Sequence, residues 1–290
     1  ILTNTCTDHI PRWAETVQRS RLWSVSSSFR SRFGDILMHC VTVDYPSDWT
    51  DARIYILSDL HIGDPQSDPE SIAERISRIA EDDHGLCVLN GDILNTAVRN
   101  GVSDVYGELM SPMDQIKLAS DLLRPISERI ISADTGNHEN RTYKNDGVDI
   151  MRLVCRELGV EKCYAPEGVL CFLRFGTQSS RNKNKPFVYS IYSTHGTGGG
   201  RKEGAKAIRL ADMASIVDAD IYIHSHSHLP MIMKQNFFRV DIQHQCTVPV
   251  TKLFVNDSSS LNYGGYGQAG EYKPYSKDSP VIHLDGKTKR

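Results

Sequence analysis

Between about residue 41 and residue 229 the chain alternates short apolar runs with amphipathic stretches, and that alternation limits it to an α/β architecture. ARIYILSDLH reads as a buried strand, and SDPESIAERISRIAED as a helix opened by Asp68-Pro69. GLCVLNGD is a second strand. MDQIKLASDLLRPISER is helical, with Pro125 expected to kink or end it. RIISADTGNHE reads as a third strand and GVDIMRLVCRELG as a helix stopped by Gly159. FVYSIYSTHG and ADIYIHSHSH are further strands on either side of the helical KEGAKAIRLADMASIV. After residue 229 the texture changes to MIMKQNFFRVDIQHQ and VPVTKLFVND, expected as antiparallel strands. The Gly- and Tyr-rich LNYGGYGQAGEYKPY reads as a loop.

Residues 1–40 differ from the rest. PRWAETVQRSRLWSVSSSFRSRF is rich in Arg and Ser with scattered apolar positions, so 1–40 is expected to be a partly disordered extension and 41–290 the folded domain. With 290 residues the chain can bury a full core without disulfides or a structural metal. Its seven cysteines are odd in number and contain no C-x-x-C, which fits reduced thiols of a cytoplasmic protein. No apolar run is long enough to span a membrane. The net charge of −3 gives no support to a broad nucleic-acid-binding face.

Five strand-like segments end in a polar cluster: SDLHIG, NGDILN, GNHE, THG and HSHSH. In open α/β sheets, ligand groups gather beyond the carboxyl ends of strands, and every one of these clusters carries Asp, Asn or His. Asp59 and His61 are two apart, so in extended backbone they face the same way. His224, His226 and His228 repeat that spacing. One ion cannot easily reach all three, but two of them can serve two ions about 3.5–4 Å apart. The competing reading is a surface strand end that happens to be rich in His.

The series D-x-H, G-D-x-x-N, G-N-H-E, H-G and H-x-H, in this order across about residues 52–255, resembles the calcineurin-like metallophosphoesterase superfamily. The resemblance implies an α/β fold: a four-layer αββα sandwich of two mixed β-sheets flanked by helices. It implies that Asp59, His61 and His228 hold one metal ion, that Asn137, His195 and His226 hold a second, and that Asp92 bridges them. His138 matches the family's catalytic histidine that is not a ligand. His224 matches no role and is assigned to packing or support. Ser225 replaces the usual Gly of the last motif. Asn95-Thr96-Ala97 replaces the Asp-Arg-Gly of the protein-phosphatase branch, which argues against a Ser/Thr protein phosphatase and leaves the orientation of His138 open.

The implied activity is hydrolysis of a phosphate ester by attack of a metal-bound hydroxide, with His138 as general acid or charge stabiliser. Oxygen and imidazole ligands suit Mn²⁺ first, with Fe or Zn²⁺ as alternatives. The loop GTGGGRKEGAK after His195 departs from the P-loop pattern. It is either a flexible connection or a cradle in which Arg201 or Lys202 meets the substrate phosphate. A phosphodiesterase or nuclease is expected, acting on nucleic acid or a nucleotide diester, with Tyr263, Tyr266 and Tyr272 available for stacking. The alternatives are a small-molecule or nucleotide phosphomonoesterase and a catalytically silent nucleotide- or partner-binding protein.

Overall fold

The computed structural model describes residues 24–28, 38–45, 49–99, 105–175, 187–198 and 200–287. The strands are β1 (Ser24–Ser28), β2 (His39–Asp44), β3 (Asp51–Leu57), β4 (Gly85–Asn90), β5 (Ile130–Asp134), β6 (Val169–Phe175), β7 (Phe187–Ser193), β8 (Ile221–His224), β9 (Met231–Asp241), β10 (Cys246–Asn256) and β11 (Val281–Asp285). The helices are α1 (Pro69–Glu81), α2 (Pro112–Leu123), α3 (Asn137–Asp146), α4 (Ile150–Glu157), α5 (Glu203–Asp212) and the short α6 (Gly265–Ala269). A seven-stranded sheet runs β1-β2-β6-β7-β8-β10-β9, and a four-stranded sheet runs β11-β3-β4-β5. Both are mixed. β3, β4 and β5 are mutually parallel, as are β7, β8 and β10, while β11 and β9 close their edges antiparallel.

Strand periodicity sorts the side chains into layers. Ile54, Ile56, Leu86 and Val88 of the small sheet meet Val41, Val43, Ile191, Ile221 and Ile223 of the large one in a core between the sheets. The alternate residues Tyr55, Leu57, Cys87 and Leu89 face outward against Ile72, Ile76 and Ile79 of α1, Ile116 of α2 and Val154 of α4. On the opposite side, Tyr192, Tyr222 and Phe254 pack against Leu210 of α5 and Met213. Helix, sheet, sheet, helix is the expected four-layer sandwich.

Local chemistry accounts for most boundaries. The Asp68 carboxylate accepts from Ser71 N at 3.1 Å and Pro69 starts α1, so the helix is capped where the sequence predicts. Pro125 does end α2, and the chain continues as a 3₁₀ turn over Arg124–Arg129. Four elements differ from the sequence reading. The third strand stops at Asp134, and Asn137 opens α3. β6, with Val169, Cys171, Leu173 and Phe175 buried at period two, was not anticipated. The C-terminal loop contains α6, and β11 follows it on the edge of the small sheet. Of the expected N-terminal extension, Ser24–Ser28 pairs with β2, while residues 1–23 and 29–37 lie outside the described residues. Cys40, Cys87, Cys155, Cys163, Cys171 and Cys246 are free thiols. Among the described residues no helix is long and apolar enough to cross a membrane.

Candidate metal centre

Because β3, β4 and β5 run parallel, their carboxyl ends open onto one edge, and those of β7 and β8 deliver their own loops to the same place. The loops after β3 and β4 are zipped together: Asp59 N donates to Gly91 O at 3.1 Å and His61 N to Asp92 O at 3.0 Å. Gly91 and Gly136 make a close crossing possible. A Cβ on Gly91, where φ is +71°, would lie 2.5 Å from Gly136 N, and one on Gly136 would lie 2.0 Å from Asp92 Oδ1.

The backbone at the site is left-handed at residues that rarely adopt that conformation. Asp59, His61, Asp92, His226 and His228 have φ between 48° and 63°. This revises the spacing argument from the sequence. β3 ends at Leu57 and β8 at His224, and beyond those points the side chains are aimed by tight turns, not by strand alternation. A concentration of backbone strain at convergent polar residues is a mark of a functional site.

Three overlapping groups bring their ligand atoms within 4.8 Å of one another: Asp59, His61 and His228; His61, Asp92 and His138; and Asp92, His195 and His226. His228 Nε2 is 3.0 Å from Asp59 Oδ1, and His195 Nε2 is 3.2 Å from Asp92 Oδ2. Asn137 Oδ1 joins the third group at 3.3 Å from His195 Nε2. The His195 ring is fixed from behind, since its Nδ1 lies 2.8 Å from the carbonyl of Asn90 and must donate to it. Its Nε2 therefore faces Asn137 Oδ1 and Asp92 Oδ2, so three possible ligand atoms converge.

Burial by itself would raise the Asp59 and Asp92 carboxyls, yet both are held well below the usual carboxylate range. His228 and His61 do this at Asp59, and His195 and His138 at Asp92. Two of these histidines shift upward. His61 and His195 are raised despite burial, because Asp59 and Asp92 sit beside them. His226 is lowered to about 4, chiefly by burial and then by His195, so its imidazole stays neutral. Among the described residues, the ring nitrogens of the buried His61 have no well-aligned hydrogen-bond partner. Buried carboxylates faced by imidazoles whose protons a cation can displace fit divalent cations. The donor set, all carboxylate, amide and imidazole, suits Mn²⁺, Fe or Zn²⁺.

No family profile and no curated protein matches the chain. Among solved structures it is similar to a conserved uncharacterized protein of Streptococcus pneumoniae, described as a predicted phosphoesterase. That pair has 16% identity and a TM-score of 0.34 over 82% of this chain and 85% of that one. It is also similar to vacuolar protein sorting 29 of Cryptosporidium parvum, with 14% identity and a TM-score of 0.37 over 82% and 88% of the two chains. The vacuolar protein sorting 29 of Entamoeba histolytica, solved with zinc, shows 14% identity and a TM-score of 0.33 over 71% and 74%. In layer order and in the succession of its strand-end residues, this chain resembles the calcineurin-like metallophosphoesterases. What the site can do follows from its own geometry.

His138 stands at the rim of the cluster, its side chain 15% exposed and its Nε2 3.9 Å from Asp92 Oδ2. Its orientation comes from the backbone of Asn95, whose carbonyl accepts from Nδ1 at 2.9 Å, while the Asn95 side chain is turned away to Glu108. Burial, with His61 and Arg141 adding to it against the pull of Asp92, lowers His138 to about 3. Two residues given no role in the sequence reading matter here. The buried Glu139 accepts from the backbone N–H groups of Asp92 (3.0 Å), Leu94 (2.9 Å) and Gly136 (3.0 Å), locking two ligand loops together. Burial and the Asp92 charge push its carboxyl up to about 7. Arg141 donates to His138 Nε2 at 3.0 Å. His224 turns out to be support: its Nδ1 pairs with Asn256 Oδ1 at 2.9 Å, and its ring fills the space where Gly196 lacks a Cβ. Arg201 lies over Tyr272, 5.4 Å from the ring centroid, and 3.9 Å from Glu271, while Lys202 is exposed at the start of α5.

Proposed function

We propose that the protein is a phosphoester hydrolase that works with two divalent cations, most readily Mn²⁺. Asp59, His61 and His228 would hold one cation, Asn137, His195 and His226 the other, with Asp92 between them. The observation that carries this reading is the convergence of Asn137 Oδ1, Asp92 Oδ2 and His195 Nε2, next to a second cluster of Asp59, His61 and His228. Cations held there supply an acidified water and neutralise charge on the phosphoryl oxygens.

The chain's own residues set the stage for that chemistry. His138 N donates to Asp92 Oδ1 at 2.8 Å, which leaves Oδ2 of the same carboxylate for the cluster. With Nδ1–H committed to the Asn95 carbonyl, any proton that His138 passes to a leaving oxygen travels through Nε2. Glu139 keeps Asp92 and Asn137 at fixed separation, so little reorganisation is needed on binding.

The substrate we favour is a phosphodiester, with a nucleotide diester or nucleic acid as its natural form. Tyr266 and Tyr272 lie with ring centroids 5.7 Å apart, and Arg201 covers Tyr272, giving planar groups on which a base could stack. The test compares bis(p-nitrophenyl) phosphate with p-nitrophenyl phosphate at equal concentration and Mn²⁺, with single-stranded and duplex DNA beside them. Faster diester turnover is expected. Faster monoester turnover with no cleavage of DNA would replace the diester reading with a phosphomonoesterase, and no turnover of any substrate would remove the enzyme reading.

A further inference from the structure

We propose that the protein associates with a second copy of itself through the outer edge of β9, the two strands pairing antiparallel about a two-fold axis at Val240. The proposal is independent of the phosphoesterase reading, because this edge lies at the end of the sheet away from the metal centre.

β10 runs parallel to β8, so its carboxyl end at Asn256 lies with the metal-site loops and its start at Cys246 lies at the far end. The β9–β10 ribbon is paired along its whole length, from Met231 beside Asn256 to Asp241 beside Cys246. Near its root it belongs to the body, where Met231, Met233 and Phe237 pack with Tyr222 and Phe254. From Phe238 to Pro249 it stands clear, and every residue there except Asp241 is exposed. Phe238 (75%), Val240 (69%) and Ile242 (85%) are among the most open apolar side chains described. β9 is the last strand of the large sheet, and among the described residues no strand pairs with its outer edge. An apolar edge with unpaired backbone N–H and C=O groups is a template for another strand.

The occupant is selected by the sequence of that edge, Phe238-Arg239-Val240-Asp241-Ile242. A two-fold axis normal to the sheet keeps each side chain on its own face, so a symmetric antiparallel pair is centred on a residue. With the axis at Val240, Arg239 of each copy stands opposite Asp241 of the other, and Phe238 stands opposite Ile242. Opposite charges meet, and apolar meets apolar. Neighbouring registers lose the match. An axis at Arg239 sets two guanidiniums opposite each other, and one at Asp241 sets two carboxylates together. An axis at Phe238 puts Val240 against Asn236 and Asp241 against Gln235. The Asp241 carboxylate is already held in place by its own turn, accepting from His244 N at 3.0 Å and lying 2.8 Å from His244 Nδ1. A carboxylate has about four lone-pair sites, which leaves room for the second copy's guanidinium. The overlap from Phe238 to Ile242 is short, so the dimer is a weak, concentration-dependent one.

The test is sedimentation equilibrium of the full chain from micromolar to millimolar concentration. A thiol reductant is present, so that the exposed Cys246 cannot link copies covalently. Wild type, Arg239→Asp, Asp241→Arg and an equimolar mixture of the two variants are compared. The wild type is expected to show a reversible monomer–dimer equilibrium. Each single variant puts like charges opposite each other twice per dimer and should weaken association by about tenfold or more. In the mixture, two aspartates of one chain face two arginines of the other, so a heterodimer should form more strongly than either variant pairs with itself. Arg239 is exposed on the ribbon, so Arg239→Asp tests the register and leaves the Asp241–His244 turn intact. A wild type that stays monomeric throughout overturns the proposal, as do dimers of equal strength in wild type and Arg239→Asp. A mixture that associates no better than its two components overturns it as well.

Discussion

Several side chains at the site are aimed by a partner on their far side. His195 is turned by the Asn90 carbonyl, His138 by the Asn95 carbonyl and Asp92 by the amide of His138, so the atom each presents to the cluster is set before any cation arrives. The raised His61 and His195 give a pH dependence with a definite sign. Without cations these imidazoles keep their protons above the ordinary value of about 6.5. Binding a cation needs the lone pair and so expels those protons. Mn²⁺ affinity should therefore climb with pH through and beyond the imidazole range and be lost as pH falls. Titrations at successive pH values, in buffers of differing ionisation enthalpy, should show both the tightening and the proton release. An affinity flat with pH would contradict the ligand assignment. At this scale the sequence was informative about which residues converge, because Asp, His and Asn at strand ends are visible in the order of letters. It was silent on what orients them, because the orienting groups are backbone carbonyls and amides, common to every residue.

At the scale of elements, α3 is the instructive case. Its sequence NHENRTYKND has no apolar stripe, and only Glu139 of its residues is buried, so periodicity could not reveal it. The available signals were the caps: Glu139 three residues after Gly136 accepts from the Gly136 amide, and Gly147 ends the helix at φ 72°. β6 was overlooked for a different reason, since VLCFLRF is apolar at nearly every position and carries no polar cluster at its end. α3 matters because its first turn crosses the loop after β4 with no room to spare. Gly136→Ala would drive a Cβ into Asp92, at a cost of about 1–3 kcal/mol if the loops give way. The expected outcome is a lower melting temperature and weakened Mn²⁺ binding together, checked by thermal melts with and without Mn²⁺. Wild-type values in both would mean that the close crossing of these loops is not needed.

For the whole molecule, the alternation of strands and helices was enough to expect an α/β chain, and the two-sheet sandwich came from the resemblance its motifs carry. What neither supplied was the edge structure. β1 borders the large sheet through pairing with β2, and β11 closes the small sheet against β3, each from a stretch with no strong strand pattern of its own. Such edges are fixed by backbone hydrogen bonds to a neighbour already in place, which single-segment patterning does not record. The sandwich matters to function because it brings loops from both sheets to one edge, and only there can two cation sites share a carboxylate. The most direct test is the number of Mn²⁺ ions bound per chain at saturation, measured by equilibrium dialysis with elemental analysis, for the wild-type protein and for Asp92→Asn. The account predicts two ions in the wild type and fewer than two in Asp92→Asn. One ion or none in the wild type, or two retained by Asp92→Asn, would contradict it.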